Sequence, residues 1–410
     1  MGVNVMEIMY SHCAGLDVHK QTVVACLKTK KGKEIRTFGT MTASLLEMAD
    51  WLIANNCQAV AMESTGVYWK PIYNILEATG MEILVVNAQH IKNVPGRKTD
   101  VKDSEWIADL LQHGLLRGSF IPNRDQRELR ELVRYRTKLT QERSREVNRI
   151  QKVLEGANIK LSDVATDIMG KSGQDILRAI ISGNQDPKTM AQMARGRLKN
   201  KAELLENSLN GLIGPHQKML LETQLRHIDF LNEELQKLSQ EIESRMRPFE
   251  EAIKALDGIP GISRTNAEQI LCETGIDMSR FPTDKHFASW AALCPGNNET
   301  GGKRKSGKTR KGNMSLKAAL TQAATSASRT KGTYFNTMYH RLAARRGKKK
   351  AIVAVAHAIL VVIYHMLKED SSYRDLGINH YNEINRQATV KRSIKRLESM
   401  GFKVTIEPAA

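Results

Sequence analysis

The chain has 410 residues, 41% of them hydrophobic, and carries 62 Lys and Arg against 44 Asp and Glu, a formal net charge of +18. That apolar content excludes a disordered chain and allows two or three domains, and the charge calls for a polyanionic partner, a nucleic acid or an acidic membrane surface. Five scattered cysteines without a Cys-x-x-Cys pair argue against a disulfide framework or structural zinc and fit a reducing cytosol, and 5% aromatic residues argue against base stacking as the main grip.

Met1 to Tyr10 has no basic-then-apolar signal pattern. Cys13-Ala14-Gly15-Leu16-Asp17-Val18-His19-Lys20 predicts a first strand, with Leu16 and Val18 on one face and Asp17 on the other. Asp is poor strand chemistry unless a metal or partner neutralises it, and taken alone Asp17 reads as a turn or edge residue. Thr22–Lys28 and Glu34–Met41 predict the next two strands of a meander. Ala43–Asn55 has helical spacing, Gln58–Glu63 is a short apolar strand ending on a carboxylate, Val67–Ala78 is a helix, and Met81–Asn87 is another strand. This order predicts an α/β mixed sheet with helices on its faces. Arg97–Trp106 predicts a loop entering a helix whose apolar stripe is Ile107, Leu110 and Leu111. Asp100 and Asp103, three apart, share one face of that turn. The helix dipole explains one acidic residue there better than two.

Asp125–Gly156 predicts a long amphipathic helix with Arg127, Arg130, Arg134, Arg136, Arg143, Arg145 and Arg149. So lopsided a face suggests contact with a nucleic-acid backbone, the alternative being a plain solvated face. Residues 157–215 read as mostly helical with loops. Leu221, Ile228, Leu235 and Ile242, with Leu231 and Leu238, follow a heptad, which pairs with the earlier helix or with another subunit. Leu256–Ile262 predicts a helix-hairpin-helix in which Gly258 and Gly261 offer backbone N–H groups to a phosphate, or else an ordinary Gly/Pro turn. Leu293–Gly302 leads into a run whose basic residues are Lys303, Arg304, Lys305, Lys308, Arg310 and Lys311, suited to lie along phosphates. Gly302 and Gly307-Lys308-Thr309 match the P-loop spacing, but no apolar strand precedes them and that reading is rejected. Arg345–Lys350 is a second basic run. Ala351–Leu367, short and interrupted by His357, Tyr364 and His365, predicts a buried helix and no membrane span. Val390–Met400 predicts a helix and Phe402–Ile406 an extended end.

Asp17, Glu63, Asp100 and Asp103 fall where a ribonuclease H-like sheet brings residues to one edge. Four carboxylates cannot all stay ionised together without cations. Mg²⁺ takes oxygen ligands, and a pair of such ions about 4 Å apart polarises a phosphodiester. These segments, Gly15-Leu16-Asp17-Val18-His19-Lys20, Met62-Glu63-Ser64-Thr65-Gly66, Lys98-Thr99-Asp100-Val101-Lys102-Asp103, Gly258-Ile259-Pro260-Gly261-Ile262 and Cys294 through Asn313, occur in one order along the chain. In that order they resemble the DEDD transposases of bacterial insertion sequences, relatives of the Piv DNA invertase.

The resemblance implies an α/β plus α architecture. Residues 1–124 would be a RuvC-like (ribonuclease H-like) catalytic domain and 125–250 a helical coiled-coil region. Residues 251–370 would be a mostly helical transposase domain with the helix-hairpin-helix and a nucleophile loop, and 371–410 a tail. It further implies a hydroxyl in that loop that attacks the scissile phosphate and holds DNA covalently, activated by the acidic Mg²⁺ cluster of another subunit. A bridge RNA would pair with donor and target DNA, and the protein would work as a dimer or tetramer in the bacterial cytoplasm, at the nucleoid. Family members usually have Ser where this chain has Thr300, so the nucleophile is Thr300 or Ser306, or the copy is weakened. Rival readings are a hydrolytic RuvC-like junction nuclease, a non-catalytic nucleic-acid-binding protein, and an actin-like sugar kinase, whose further Gly-rich phosphate loops this chain lacks.

Overall fold

The computed structural model describes residues 8–87, 91, 103–184, 186–296, 298–309, 312–380, 383 and 386–405. The chain forms two compact units, Met1–Pro122 and Asn123–Ala410. In the first unit β1 (Cys13–Val18), β2 (Thr22–Thr29), β3 (Gly32–Gly39), β4 (Ala59–Glu63) and β5 (Glu82–Val86) form one sheet in the order β3-β2-β1-β4-β5. The first three strands make an antiparallel meander, while β4 and β5 run parallel to β1. This mixed sheet is of the ribonuclease H-like kind that the sequence predicts.

Alternation along the strands sorts residues to two faces. Leu16, Val18, Val60 and Met62 pack with α1 (Thr42–Ala54) and α2 (Trp69–Leu76). Cys13, Ala59 and Ala61 pack with Ile107, Leu110 and Leu111 of α3 (Asp103–Gln112). Burial pushes the Cys13 thiol up to about 11, so it stays neutral and packs as a small apolar group.

Gly15 governs how close α3 comes. A Cβ at Gly15 would lie 2.2 Å from Ser104 O and 2.4 Å from Ala108 N, so only glycine lets the helix backbone rest on β1. The helix runs opposite to the strand: Cys13 Sγ contacts Ala108 O at 3.7 Å, and the Met9 amide donates to Gln112 O at 2.9 Å. Ion pairs Lys28–Asp109 and Lys33–Glu105 tie the outer face of α3 to β2 and β3. We expect Gly15→Ala to destabilise the first unit by about 2 to 3 kcal/mol through overpacking against backbone. Chemical denaturation followed by the fluorescence of Trp51, Trp69 and Trp106 measures it.

The second unit is helical. Its axis is α4 (Arg124–Gly156). The short helices α5 (Leu161–Val164), α6 (Lys171–Ile181), α7 (Pro187–Gln192) and α8 (Ala202–Ser208) follow, and then α9 (Pro215–Met246). The elements α10 (Glu250–Asp257), α11 (Arg264–Thr274), α12 (Asp284–Trp290), β6 (Asn298–Thr300), β7 (Lys303–Ser306), α13 (Met314–Ala327), α14 (Tyr334–Arg346), α15 (Lys348–Glu369) and α16 (Arg386–Ser399) complete it. The pair α4 and α9 is antiparallel and joins two cores. Leu129 and Val133 share one with Ile242 and Met246; Ile150 and Leu154 share the other with Leu221, Leu225 and Ile228. The heptad stripe is covered within the chain at Leu221, Ile228, Leu231 and Ile242, while Leu235 and Leu238 between them are half-buried.

By length and composition α15 would cross a membrane. Here Val355, Ile359, Leu360 and Ile363 are buried among the helices of the core, and the Tyr364 hydroxyl donates to Phe281 O at 2.9 Å. Among the described residues, Phe402–Thr405 joins no strand, so the extended end predicted there is not part of a sheet.

Candidate active site and nucleic-acid surfaces

The acidic residues meet through strand register. Leu16 lies opposite Met62 in the parallel pair β1–β4, and one step further along places Asp17 beside Glu63. Neighbouring strands lie about 4.8 Å apart. Asp17 shares the face of Cys13 and Gly15, and Glu63 that of Ala59 and Ala61, so both lie on the side covered by α3. Because α3 runs antiparallel to β1, its first residue, Asp103, falls at the same end of the sheet as Asp17. Asp17 and Glu63 are both half-buried, and Asp103 is exposed. Asp17 Oδ2 meets His19 Nε2 at 3.2 Å, and Glu63 Oε1 accepts from the Thr65 hydroxyl at 3.2 Å. Asp100 lies outside the described residues. Among the described residues no three Asp, Glu, His or Cys side chains close into a finished metal cage. The donor set is hard carboxylate oxygen throughout, which suits Mg²⁺ and not a soft ion.

Thr300 ends β6, which pairs with β7 as a hairpin, with Thr300 opposite Lys303. Gly301 (φ +57°) and Gly302 (φ +73°) make the two-residue turn, both in the left-handed region that glycine occupies without strain. Thr300 thus sits at the tip. Ser306 lies toward the base, opposite Asn298. Below it the Gly296 amide donates to Lys308 O at 2.9 Å and Pro295 bridges Thr309. The next helix begins at Met314, too far on for Gly307-Lys308-Thr309 to open a P-loop helix. Lys303 and Lys308 are exposed, and Arg304 and Lys305 lie on β7. Arg310 and Lys311 lie outside the described residues.

Comparison with known proteins assigns both regions. Residues 14–159 match the DEDD-type family profile described as "Transposase", and residues 253–340 match the "Transposase IS116/IS110/IS902 family". The chain is 22% identical over 369 residues to the transposase for insertion sequence element IS1111A of Coxiella burnetii, covering 88% of this chain and 90% of that one. It is equally similar to a probable family 20 transposase of Pseudomonas aeruginosa, covering 88% of this chain and 94% of that one. The chain belongs to the DEDD transposases of insertion sequences. It is a DNA transposase, and DNA is its partner.

The arginines of this transposase's long helix point elsewhere than expected. Arg134 donates to both carboxylate oxygens of Glu273, at 2.6 and 2.9 Å, and Arg130 Nε lies 3.2 Å from the same group. Burial works against the Arg134 charge, but Glu273 outweighs it and its pKa is raised. Arg136, 6% exposed, donates to buried Glu268 at 2.7 Å. Arg143 donates to Asn232 at 2.6 Å, and Arg149 pairs with Glu146. Arg130, Arg134, Arg136 and Arg143 hold α4 against α9 and α11, so the expectation of a phosphate-binding face is corrected for those four, whereas the Arg149–Glu146 pair lies within α4. Sequence reading missed Glu268 and Glu273; two carboxylates among Ala267, Ile270, Leu271 and Cys272 were the signal.

The Gly258 amide is engaged, donating to Lys254 O at 3.3 Å. Gly261 (φ +92°) has a packing role: a Cβ there would lie 2.4 Å from Ala323 O and 2.5 Å from Ala327 N. The second basic run is different. Arg345, Arg346, Lys348, Lys349 and Lys350 are all exposed, and no ion pair engages them among the described residues. The three lysines occupy the first turn of α15, where the helix dipole disfavours cations by about 0.3 to 1 kcal/mol each. A polyanion reverses that cost.

Replacing Lys348, Lys349 and Lys350 together by Ala should make the slope of log affinity against log salt for duplex DNA shallower by about 1 to 3. The fold should be as stable or slightly more so. Arg134→Ala should do the opposite, leaving the slope unchanged and lowering the denaturation midpoint. A slope that moves in Arg134→Ala but not in the lysine variant contradicts this division.

Proposed function

We propose that this transposase cuts and rejoins DNA through a covalent intermediate on Thr300, activated at an acidic edge made by Asp17, Glu63, Asp100 and Asp103. The observation that carries this reading is the β1–β4 register, which sets Asp17 beside Glu63 on the face where α3 begins. Mg²⁺ held by these oxygens would supply Lewis-acid stabilisation of the charge that develops on the phosphate. The Thr300 hydroxyl oxygen attacks phosphorus, and the bond from phosphorus to one sugar oxygen breaks. The hydroxyl proton passes to a carboxylate acting as base, and the departing sugar oxygen takes up a proton. Rejoining is the reverse, with a sugar hydroxyl of the exchanged strand as attacker. Bond number is conserved, so no energy source is consumed.

The hairpin supports Thr300 over Ser306, since a tip flanked by two glycines lets backbone and hydroxyl approach a phosphate. The basic residues from Lys303 to Lys311 hold that phosphate, and the hairpin between α10 and α11, with Gly258 and Gly261, lies along the DNA. A bridge RNA supplies target choice by pairing with donor and target DNA. The protein assembles as a dimer or tetramer and acts in the bacterial cytoplasm, at the nucleoid.

Thr300→Ser should keep or raise activity, because it retains the oxygen and removes the methyl that restricts χ1. Thr300→Ala should lose recombination and the adduct, while Ser306→Ala loses neither. Peptide mapping of the protein–DNA adduct by mass spectrometry decides it. An adduct on Ser306 overturns the residue assignment, and cleavage by the wild type without any adduct favours the hydrolytic junction-nuclease reading.

A further inference from the structure

Glu273 has a third partner besides the two arginines. Its side chain is buried at 2% exposure, and its Oε2 also accepts from Asn313 Nδ2 at 2.7 Å. Asn313 is the N-cap of α13, its Oδ1 accepting from the Leu316 amide at 3.1 Å. Along the chain it follows the return strand β7, which ends at Ser306, by seven residues. The neighbouring Gly312 is pressed onto α12, where a Cβ would meet the Ala292 Cβ at 2.6 Å and Trp290 O at 2.9 Å. Lys317, one turn into α13, bonds the Thr309 hydroxyl.

One amide side chain thus does two tasks. Its oxygen starts a helix, and its NH₂ attaches that start to a carboxylate clamped by Arg130 and Arg134 on α4. Capping alone does not require asparagine, since Ser or Asp would cap as well. The second bond does require it: Ser is too short, and Asp would set a second carboxylate against Glu273. A bond from a neutral amide to a buried, ionised carboxylate is of the stronger, charge-assisted class.

We propose that Asn313 is a positioning residue: its bond to Glu273 fixes the base of the hairpin, and through it the tip at which Thr300 is presented to the phosphate. This rests on the nucleophile reading above. Misplacing a reacting group by about 1 Å costs on the order of 100-fold in rate.

The test uses the full-length protein with Asn313→Ser, which keeps the cap and removes the bond, and Asn313→Asp, which opposes two carboxylates. At saturating DNA both should form the covalent adduct about 10- to 100-fold more slowly, with DNA affinity within about threefold of wild type. Amide hydrogen exchange at Gly296 should rise in both. Combining Asn313→Asp with Glu273→Gln restores one amide and one carboxylate at the contact and should recover part of the rate lost in Asn313→Asp. A folded Asn313→Ser protein with wild-type adduct rate overturns the inference. So does a slowed one whose hairpin exchange is unchanged. Absence of any adduct in the wild type instead strikes the nucleophile reading, and the exchange measurement still decides whether Asn313 holds the hairpin.

Discussion

The first unit depends on one contact, the backbone of α3 resting on β1 at Gly15. Glycine inside a strand costs about 0.5 to 1 kcal/mol relative to alanine, and it adds no side chain to the core. In return Ser104 and Ala108 reach the strand itself, and the first turn of the helix comes to the edge where Asp17 and Glu63 stand. A side chain at residue 15 would lift the helix and carry Asp103 away from that edge. The acidic centre is therefore a consequence of packing: two strands supply neighbouring carboxylates by register, and a missing methyl supplies the third element.

The second unit solves a different problem, how to fold a chain with an excess of 18 positive charges. Part of the excess is neutralised inside. Glu268 and Glu273 are almost fully buried, and breaking such a pair by removing one partner typically costs about 3 to 5 kcal/mol. The rest includes Lys348–Lys350, which no ion pair engages among the described residues. The arginine has the planar fork that suits an internal carboxylate, and the lysines stay outside as hydrated point charges.

The sheet and the two strand carboxylates were legible in the sequence, because period-two alternation states which residues share a face. Asp17 against Leu16 and Val18 is read that way without a structure. The fate of the arginines was not. Their partners are 132 and 139 residues away along the chain, and local pattern is silent at such separations. The heptad of α9 was readable as a stripe but not as to what covers it, since an internal helix and a second subunit impose the same spacing. The hairpin glycine Gly261 is ambiguous in sequence for a related reason: close approach to a phosphate and close approach to a helix both forbid a Cβ, and the structure shows the approach to α13.

If Asp17 and Glu63 share a divalent ion, anomalous scattering from crystals soaked in Mn²⁺, a stand-in for Mg²⁺, will reveal it. The expected result is a peak bonded to both carboxylates at the edge of the sheet, absent in Asp17→Ala crystals in which Gly15 still carries α3. A protein that binds manganese elsewhere, or not at all, with both carboxylates ordered and facing each other, would contradict it.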